Sequence, residues 1–258
     1  MINWDETPAA IWRKRKGRLR AVVDIDPISR QSLVGIDRQI EQISGNTERF
    51  LADLPANNAL LWGARGTGKS ALIKALLNQY KTQGLRLIQV DKDDLIDLPE
   101  IVDEIREQPF HYIVFCDDLS FEAGENSYKP LKSILEGSIE QPPQNILLYA
   151  TSNRRHLVPE QLQDNLDTQV GESEIHYSDA VEEKISLSDR FGLWISFHAI
   201  SIDGYLAIVD SYFKGYCGNR QQLHEAAKLF AMTRGARSGR TAKQFFNFYM
   251  GRSSNTLP

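Results

Sequence analysis

Cysteine is nearly absent from this chain of 258 residues, which contains only Cys116 and Cys217. Two cysteines cannot build a disulfide framework, and Cys116 lies in an apolar run that is typical of a buried strand. The five histidines are not spaced to complete a zinc site with this pair. We therefore expect reduced cysteines, with Cys116 as a small core residue.

Long apolar runs and an excess of positive charge are also missing. No run approaches the roughly 18 residues that a membrane-spanning helix needs, and the N-terminus lacks the apolar core of a signal peptide. The formal net charge of −4 argues against a uniformly basic nucleic-acid-binding protein, but it leaves a local basic patch open. We expect a soluble cytoplasmic protein that does not contact the membrane.

Strand-like and helix-like runs alternate along the first 200 residues. The strand-like runs are ALLW (59–62), LRLIQV (85–90), YIVFCD (112–117), NILLYATSN (145–153) and LWISFHAI (193–200). The helix-like runs between them are KSALIKALLNQY (69–80), LPEIVDEIREQ (98–108) and YKPLKSILEGSIE (128–140). This alternation predicts an α/β fold, with a parallel sheet covered by helices on both faces.

The strand signal stops after residue 201. Three helix-like segments follow, separated by breaks that contain glycine, and they predict a small all-helical domain. We divide the chain into a polar, basic lead-in (1–30), an α/β core (31–200) and a C-terminal helical domain (201–258).

The segment GARGTGKS (63–70) fits the phosphate-loop pattern G-x-x-x-x-G-K-[ST] at every fixed position. A strand-like run leads into it and a helix-like run leads out, as phosphate binding by loop N–H groups and a helix N-terminus requires. Lys69 is expected to reach the β and γ phosphates, and the Ser70 hydroxyl to ligate Mg²⁺. The residues expected to contact the nucleotide here are Gly63, Ala64, Arg65, Gly66, Thr67, Gly68, Lys69, Ser70 and Ala71.

Two adjacent acids, Asp117 and Asp118, directly follow the apolar strand YIVFC. Adjacent carboxylates repel each other, so a nearby cation would make the pair tolerable. We expect Asp117 to hold Mg²⁺ through the water shell of the ion. Asp118 would then orient the attacking water.

With these motifs in place, residues 31–250 resemble the AAA+ ATPases. The resemblance implies a P-loop core with a five-stranded parallel sheet in the order 5-1-4-3-2 and a C-terminal helical lid. It also implies roles for residues outside the phosphate loop. Val34 and Gly35 in LVGID would lie near adenine, and Asn153 in YATSN would be sensor 1. Arg190 in LSDRFGLW would be the arginine finger. Arg237 in RGARSGR would be sensor 2, with Arg240 as the second choice.

Together, the segments FCDDLSFE, YATSNRRHL, EKISLSDRFGLW and GARSGRTAKQF resemble one bacterial AAA+ family that is known mainly as a domain of unknown function. The resemblance implies ATP and Mg²⁺ as cofactors and a homo-oligomer as the active state. One departure affects the mechanism, because many AAA+ proteins carry glutamate where this chain has Asp118. Aspartate is one methylene shorter, so we expect hydrolysis to be slow.

The partner of the ATPase is left open by the sequence. The acidic segment after the second core strand lacks the aromatic–apolar–glycine triplet of threading unfoldases. The basic block WRKRKGRLR (12–20), with Trp4 and Trp12 nearby, could bind nucleic acid, stay solvated or pack on an acidic neighbouring subunit. Arg154 and Arg155 could likewise serve a subunit interface, a nucleic acid or the plain surface.

The interpretation that we favour is a Mg²⁺-dependent ATPase that remodels a macromolecular protein or nucleic-acid partner. A DNA-associated ATPase of the initiator or helicase-loader type is one alternative, and a nucleotide-gated switch with little turnover is another. A P-loop kinase is disfavoured, because the helical domain follows the last strand instead of interrupting the core.

Overall fold

One sheet of seven strands organises the part of the chain that is described by the computed structural model, namely residues 2–121, 131, 135, 141–154 and 189–253. The strands are β1 (Ala9–Arg13), β2 (Arg18–Ala21), β3 (Ala59–Gly63), β4 (Leu85–Gln89), β5 (His111–Cys116), β6 (Ile146–Ser152) and β7 (Leu193–Phe197). The helices are α1 (Asp37–Leu51), α2 (Lys69–Tyr80), α3 (Leu98–Ile105), α4 (Ile202–Tyr212), α5 (Arg220–Arg234) and α6 (Gly239–Ser253).

The strand order is β2-β1-β4-β5-β6-β3-β7, and every neighbouring pair except β1–β2 is parallel. If β3 to β7 are counted as core strands 1 to 5, the core order is 5-1-4-3-2. The predicted core of the AAA+ type is therefore confirmed. The helix expected at 128–140 lies outside the described residues, apart from two isolated positions.

Residues 9–21 form a β-hairpin that the sequence analysis did not predict. Strand β1 pairs in parallel with the outer edge of β4, and β2 pairs antiparallel with β1. Trp4 precedes the hairpin and Trp12 lies in β1, and their side chains are only 4% and 6% exposed. They pack into the protein, so neither is available to stack on a base.

Alternation along each core strand divides the interior into two layers. In β5, Tyr112, Val114 and Cys116 face one layer, while Ile113 and Phe115 face the other. Helix α3 and the two N-terminal tryptophans cover the first layer, and helices α1 and α2 cover the second. A parallel sheet buried on both faces explains why the core strands are almost continuously apolar.

The three C-terminal helices have a core of their own. Tyr205 and Val209 from α4, Leu223 and Ala227 from α5, and Phe245 from α6 are buried together. Ser201 caps α4 by accepting a hydrogen bond from the N–H of Gly204. No helix within the described ranges is long and apolar enough to cross a membrane.

Candidate nucleotide-binding site

The phosphate loop runs from the end of β3 to the start of α2, and its backbone requires glycine. Gly63, Gly66 and Gly68 have φ angles of 127°, 72° and 100°, in the region that other residues resist. A Cβ atom on Gly63 would lie 2.0 Å from the carbonyl oxygen of Phe197 at the end of β7. Thr67 Oγ1 donates to the carbonyl of Ala64 over 2.8 Å and closes the loop on itself.

Lys69, the first residue of α2, extends along this loop. Its Nζ donates to the carbonyls of Gly63 and Ala64, both over 2.8 Å, and to Asn153 Oδ1 over 3.3 Å. Burial lowers the pKa of Lys69, while the nearby carboxylates of Asp118 and Asp117 oppose that shift. The structure thus brings the predicted phosphate-binding lysine and sensor 1 asparagine together.

The adjacent acids after β5 are each held by donors from the protein. Asp117 Oδ1 accepts hydrogen bonds from Ser70 Oγ over 2.6 Å and from Thr151 Oγ1 over 2.5 Å. Asp118 Oδ1 accepts one from Asn153 Nδ2. These donors, together with the Lys69 ammonium, offset part of the repulsion between the two carboxylates.

Thr151 is a site residue that the sequence analysis missed. Besides donating to Asp117, its Oγ1 accepts a hydrogen bond from the backbone N–H of Asp118 over 2.9 Å. One hydroxyl therefore fixes both acids. The available sequence signal was a threonine two positions before Asn153, at the end of an apolar run. In the structure this threonine is only 2% exposed.

Asp118 has a left-handed backbone, with φ of +55°. Aspartate and asparagine tolerate this conformation better than other residues that carry a Cβ, because their short polar side chains can bond locally. This gives a physical reason for aspartate, in place of glutamate, at this position.

The oxygen donors at this site suit Mg²⁺. Ser70 Oγ and the carboxylates of Asp117 and Asp118 are hard ligands, and Mg²⁺ usually takes one or two carboxylates and keeps several waters. Among the described residues, no group of three or more His, Cys, Asp or Glu side chains could hold a metal. Ser70 and the two aspartates are too few to enclose the ion by themselves, so they fit an ion that also binds substrate phosphates.

The segment ahead of α1 approaches the phosphate loop. A Cβ atom on Gly68 would lie 3.5 Å from Cδ1 of Ile36, which places LVGID (33–37) beside the loop. Val34 is half-buried, and Gly35 is exposed with a φ of +78°. Ile36, which was not singled out from the sequence, makes the contact.

The three C-terminal helices, α4 to α6, form the lid, and the start of α6 contacts the phosphate loop directly. The backbone N–H of Gly239 donates to the carbonyl of Gly66 over 3.0 Å, and Ser238 packs against the same glycine. The candidate sensor 2 residues Arg237 and Arg240 flank this contact, and both are exposed.

Arg190 precedes β7, whose first residue, Leu193, pairs with Ala59 at the amino end of β3. The phosphate loop follows the other end of β3, and the strand between the two ends is about 13 Å long. Of the two arginines after sensor 1, Arg154 is exposed and Arg155 lies outside the described residues.

The chain was compared with curated proteins, with solved structures and with protein families. A search of curated proteins found no match. Among solved structures, the Thermotoga maritima RuvB Holliday junction branch migration motor aligns with 11% identity and a TM-score of 0.47, covering 87% of this chain and 72% of that chain. A variant of RuvB from the same organism aligns with 12% identity and a TM-score of 0.49, covering 87% and 73%. Likenesses this remote carry no information about substrate or partner. A family described as "Protein of unknown function (DUF815)" matches residues 5–253, and the chain therefore belongs to the DUF815 family.

Proposed function

We propose that this protein is a Mg²⁺-dependent ATPase. The observation that carries the proposal is one hydrogen-bonded cluster at the carboxyl ends of β3, β5 and β6. It joins Lys69, Ser70, Asp117, Asp118 and Asn153, with Thr151 as the link between the two acids. The cluster lies beside a glycine-rich loop at the start of a helix. Each of these groups has a distinct task in phosphoryl transfer to water.

The phosphate loop, the N-terminus of α2 and Lys69 would bind the phosphates. The loop N–H groups and the positive end of α2 attract the triphosphate. Lys69 must exchange its bonds to the carbonyls of Gly63 and Ala64 for bonds to phosphate oxygens. Because Lys69 is only 7% exposed before the nucleotide binds, little further hydration is lost in that exchange.

Ser70 and Asp117 would hold Mg²⁺. A bound ion neutralises the negative charge that develops on the phosphate oxygens. Thr151 supports this task from behind, because its hydroxyl fixes one oxygen of Asp117 and leaves the other free to face the ion or its waters.

Asp118 and Asn153 would position the attacking water. The water oxygen bonds to the γ phosphorus as the bond to the β–γ bridging oxygen breaks. Asp118 orients the water through a hydrogen bond and accepts the proton that the water gives up. Asn153 donates to Asp118 and accepts from Lys69. It therefore links the water-orienting carboxylate to the phosphate-binding lysine.

We extend the proposal to an oligomer in which Arg190 acts on a neighbouring subunit. It precedes the amino end of β7, whereas the phosphate loop follows the carboxyl end of the neighbouring strand β3. An arginine that completes a neighbouring site contributes roughly three to five orders of magnitude in rate. Closure of the lid on Gly66 would then couple the nucleotide state to remodelling of a macromolecular partner. In the closed state, Arg237 or Arg240 would reach the γ phosphate.

The decisive experiment compares two lysines of helix α2. Lys69→Ala should abolish ATP binding in calorimetry and lower turnover by at least about 100-fold. Lys74→Ala is the matched control, because Lys74 is half-exposed and pairs with Asp26 away from the loop. Omission of Mg²⁺ should abolish the turnover of the wild type. Equal ATP affinity in the two variants would exclude this site.

A further inference from the structure

The β1–β2 hairpin carries a dense band of positive charge. Six of the eight residues from 13 to 20 are lysine or arginine, and all six are exposed. The chain as a whole has a net charge of −4, so this band is a local feature. The six are Arg13, Lys14, Arg15, Lys16, Arg18 and Arg20, and we call them the basic ribbon.

The two faces of the hairpin differ sharply. Arg13 faces Arg18 directly across the two strands, and Arg20 faces Ile11. Side chains directly opposite each other share a face, so these three arginines lie on the same side. Trp12 and Leu19 form the next pair and are buried on the other side.

The buried face fixes the ribbon to the core of the protein. The indole Nε1 of Trp12 donates to Asp97 Oδ2 over 3.0 Å, and the ring of Trp4 packs edge-on against Tyr112 at 5.0 Å between centroids. Backbone pairing of β1 with β4 adds to this anchoring. The ribbon is therefore a rigid, preorganised array of charge.

Little of this charge is neutralised by the protein itself. Within the described residues, Lys14 is the one member of the ribbon with a carboxylate inside 4 Å, Asp94 Oδ1 at 3.6 Å. The other five have no such partner there, and Arg13 and Arg18 repel each other across the strands. Such an arrangement costs stability unless an anion from outside the chain relieves it.

A groove of about 640 Å³ beside the ribbon is an unsuitable place for that anion. Asp91 and Asp94 line the groove together with the ribbon, so its floor is partly negative. Arg13, Arg18 and Arg20 also border the groove, but their shared face of the hairpin has no acidic neighbour within ion-pair distance among the described residues. A polyanion would therefore dock on that face, with Lys14 left to its pairing with Asp94.

We infer that the basic ribbon binds the phosphate backbone of a nucleic-acid duplex. Guanidinium groups bind phosphates in a bidentate manner, and a two-stranded ribbon matches the dimensions of a duplex groove and its rims. Single strands are usually held by base stacking on aromatic rings, and the tryptophans here are buried. Contacts to phosphates carry no sequence information, so we expect binding without sequence preference.

The test uses the full-length protein without nucleotide, so that its outcome is independent of ATPase activity. A fluorescent mixed-sequence DNA duplex of about 25 base pairs is titrated at several salt concentrations. We expect log K to fall linearly with log salt, with a slope of about −0.9 per phosphate neutralised. Arg18→Gln with Arg20→Gln should weaken binding at least about tenfold at roughly 50 mM salt and reduce the slope by about 2.

The control double variant is Lys228→Ala with Lys243→Ala, which removes two exposed charges from the lid and should leave the slope unchanged. Thermal unfolding should show that both double variants fold. Absence of duplex binding at about 25 mM salt, or equal binding by the two double variants, would overturn the inference. So would a ribbon variant that alters only self-association or binding to anionic lipid vesicles.

Discussion

The backbone N–H of Gly239, at the start of the last lid helix, donates to the carbonyl of Gly66 in the phosphate loop over 3.0 Å. Glycine at position 66 makes this approach possible, because a Cβ atom there would lie 2.6 Å from Cβ of Ser238. A change in the loop on phosphate binding would thus reach the lid by direct contact.

Gly66→Ala is expected to separate the lid from the loop. The substituted residue would carry a φ of +72°, which costs about 1–2 kcal/mol, and would overlap Ser238 as well. We expect lower thermal stability and weaker ATP binding, measured by calorimetry.

The steric and conformational parts of this effect can be separated with Ser238→Gly. Replacing Ser238, which caps α6 through a bond from the N–H of Thr241 over 3.1 Å, by glycine costs only a few tenths of a kcal/mol. In the Gly66→Ala background it should restore part of the stability. A double variant no more stable than Gly66→Ala alone would show that Ser238 is not the obstacle.

ATP affinity should depend on the charge of Lys69. Burial lowers the pKa of this lysine from its usual 10.5, and only the ammonium form attracts phosphate. We therefore expect affinity to fall as pH rises, starting below the pH at which an exposed lysine would lose its proton. Calorimetry across the alkaline range checks this, and an affinity that stays constant until an exposed lysine would titrate would contradict it.

The same lowered pKa has a consequence for folding stability. Between the folded pKa of Lys69 and 10.5, the unfolded chain binds more protons at this residue than the folded chain does. The contribution of Lys69 to stability therefore rises with pH in that window. The difference in unfolding free energy between wild type and Lys69→Met should move in favour of the wild type there; a constant difference would contradict the shift.

Substitutions of Asp118 should distinguish charge from backbone strain. Asp118→Asn keeps a residue that tolerates a φ of +55°, so we expect normal stability, retained ATP binding and turnover lowered by about 100-fold or more. Asp118→Glu keeps the charge but should lose about 1 kcal/mol of stability. A glutamate variant as stable as the wild type and faster in turnover would show that aspartate is not retained for its backbone.

The two cysteines should differ in reactivity. Cys116 is fully buried at the end of β5, and burial raises its pKa to about 12, whereas Cys217 is exposed. A thiol reagent at neutral pH should modify one thiol per folded chain and both in denaturant. Cys217→Ser should abolish modification of the folded protein, and a thiol that still reacts quickly would mean that β5 opens readily.

The sequence predicted the parts of the site that depend on local pattern. The loop at 63–70 and the acids after YIVFC each follow a strand, and the carboxyl ends of parallel strands meet at one edge of the sheet. The core strand order and the role of Asn153 followed from the resemblance.

Features that depend on contacts between distant residues were not predicted. The approach of Gly239 to Gly66 joins residues far apart in the chain, with no local signal. The β1–β2 hairpin was hidden because its outer face is cationic. In the structure, Trp12 and Leu19 are buried on the other face, and β1 pairs with β4, so that this segment extends the sheet.

Arg190 should act in a neighbouring site, and mixing of variants tests this. Arg190→Ala leaves its own phosphate loop intact, so ATP binding should persist while turnover falls by about 1,000-fold or more. Asp118→Asn inactivates its own site but keeps Arg190. Mixed subunits should recover activity, because some intact sites then face an intact arginine.

The matched control for this experiment mixes Lys69→Ala with Asp118→Asn. Both changes disable the site of the subunit that carries them, so no pairing of the two yields a complete site and no activity should return. Recovery confined to the Arg190→Ala mixture places the arginine in trans. Full activity of Arg190→Ala alone, or no recovery in its mixture, would remove Arg190 from the mechanism and with it the requirement for a neighbouring subunit in catalysis.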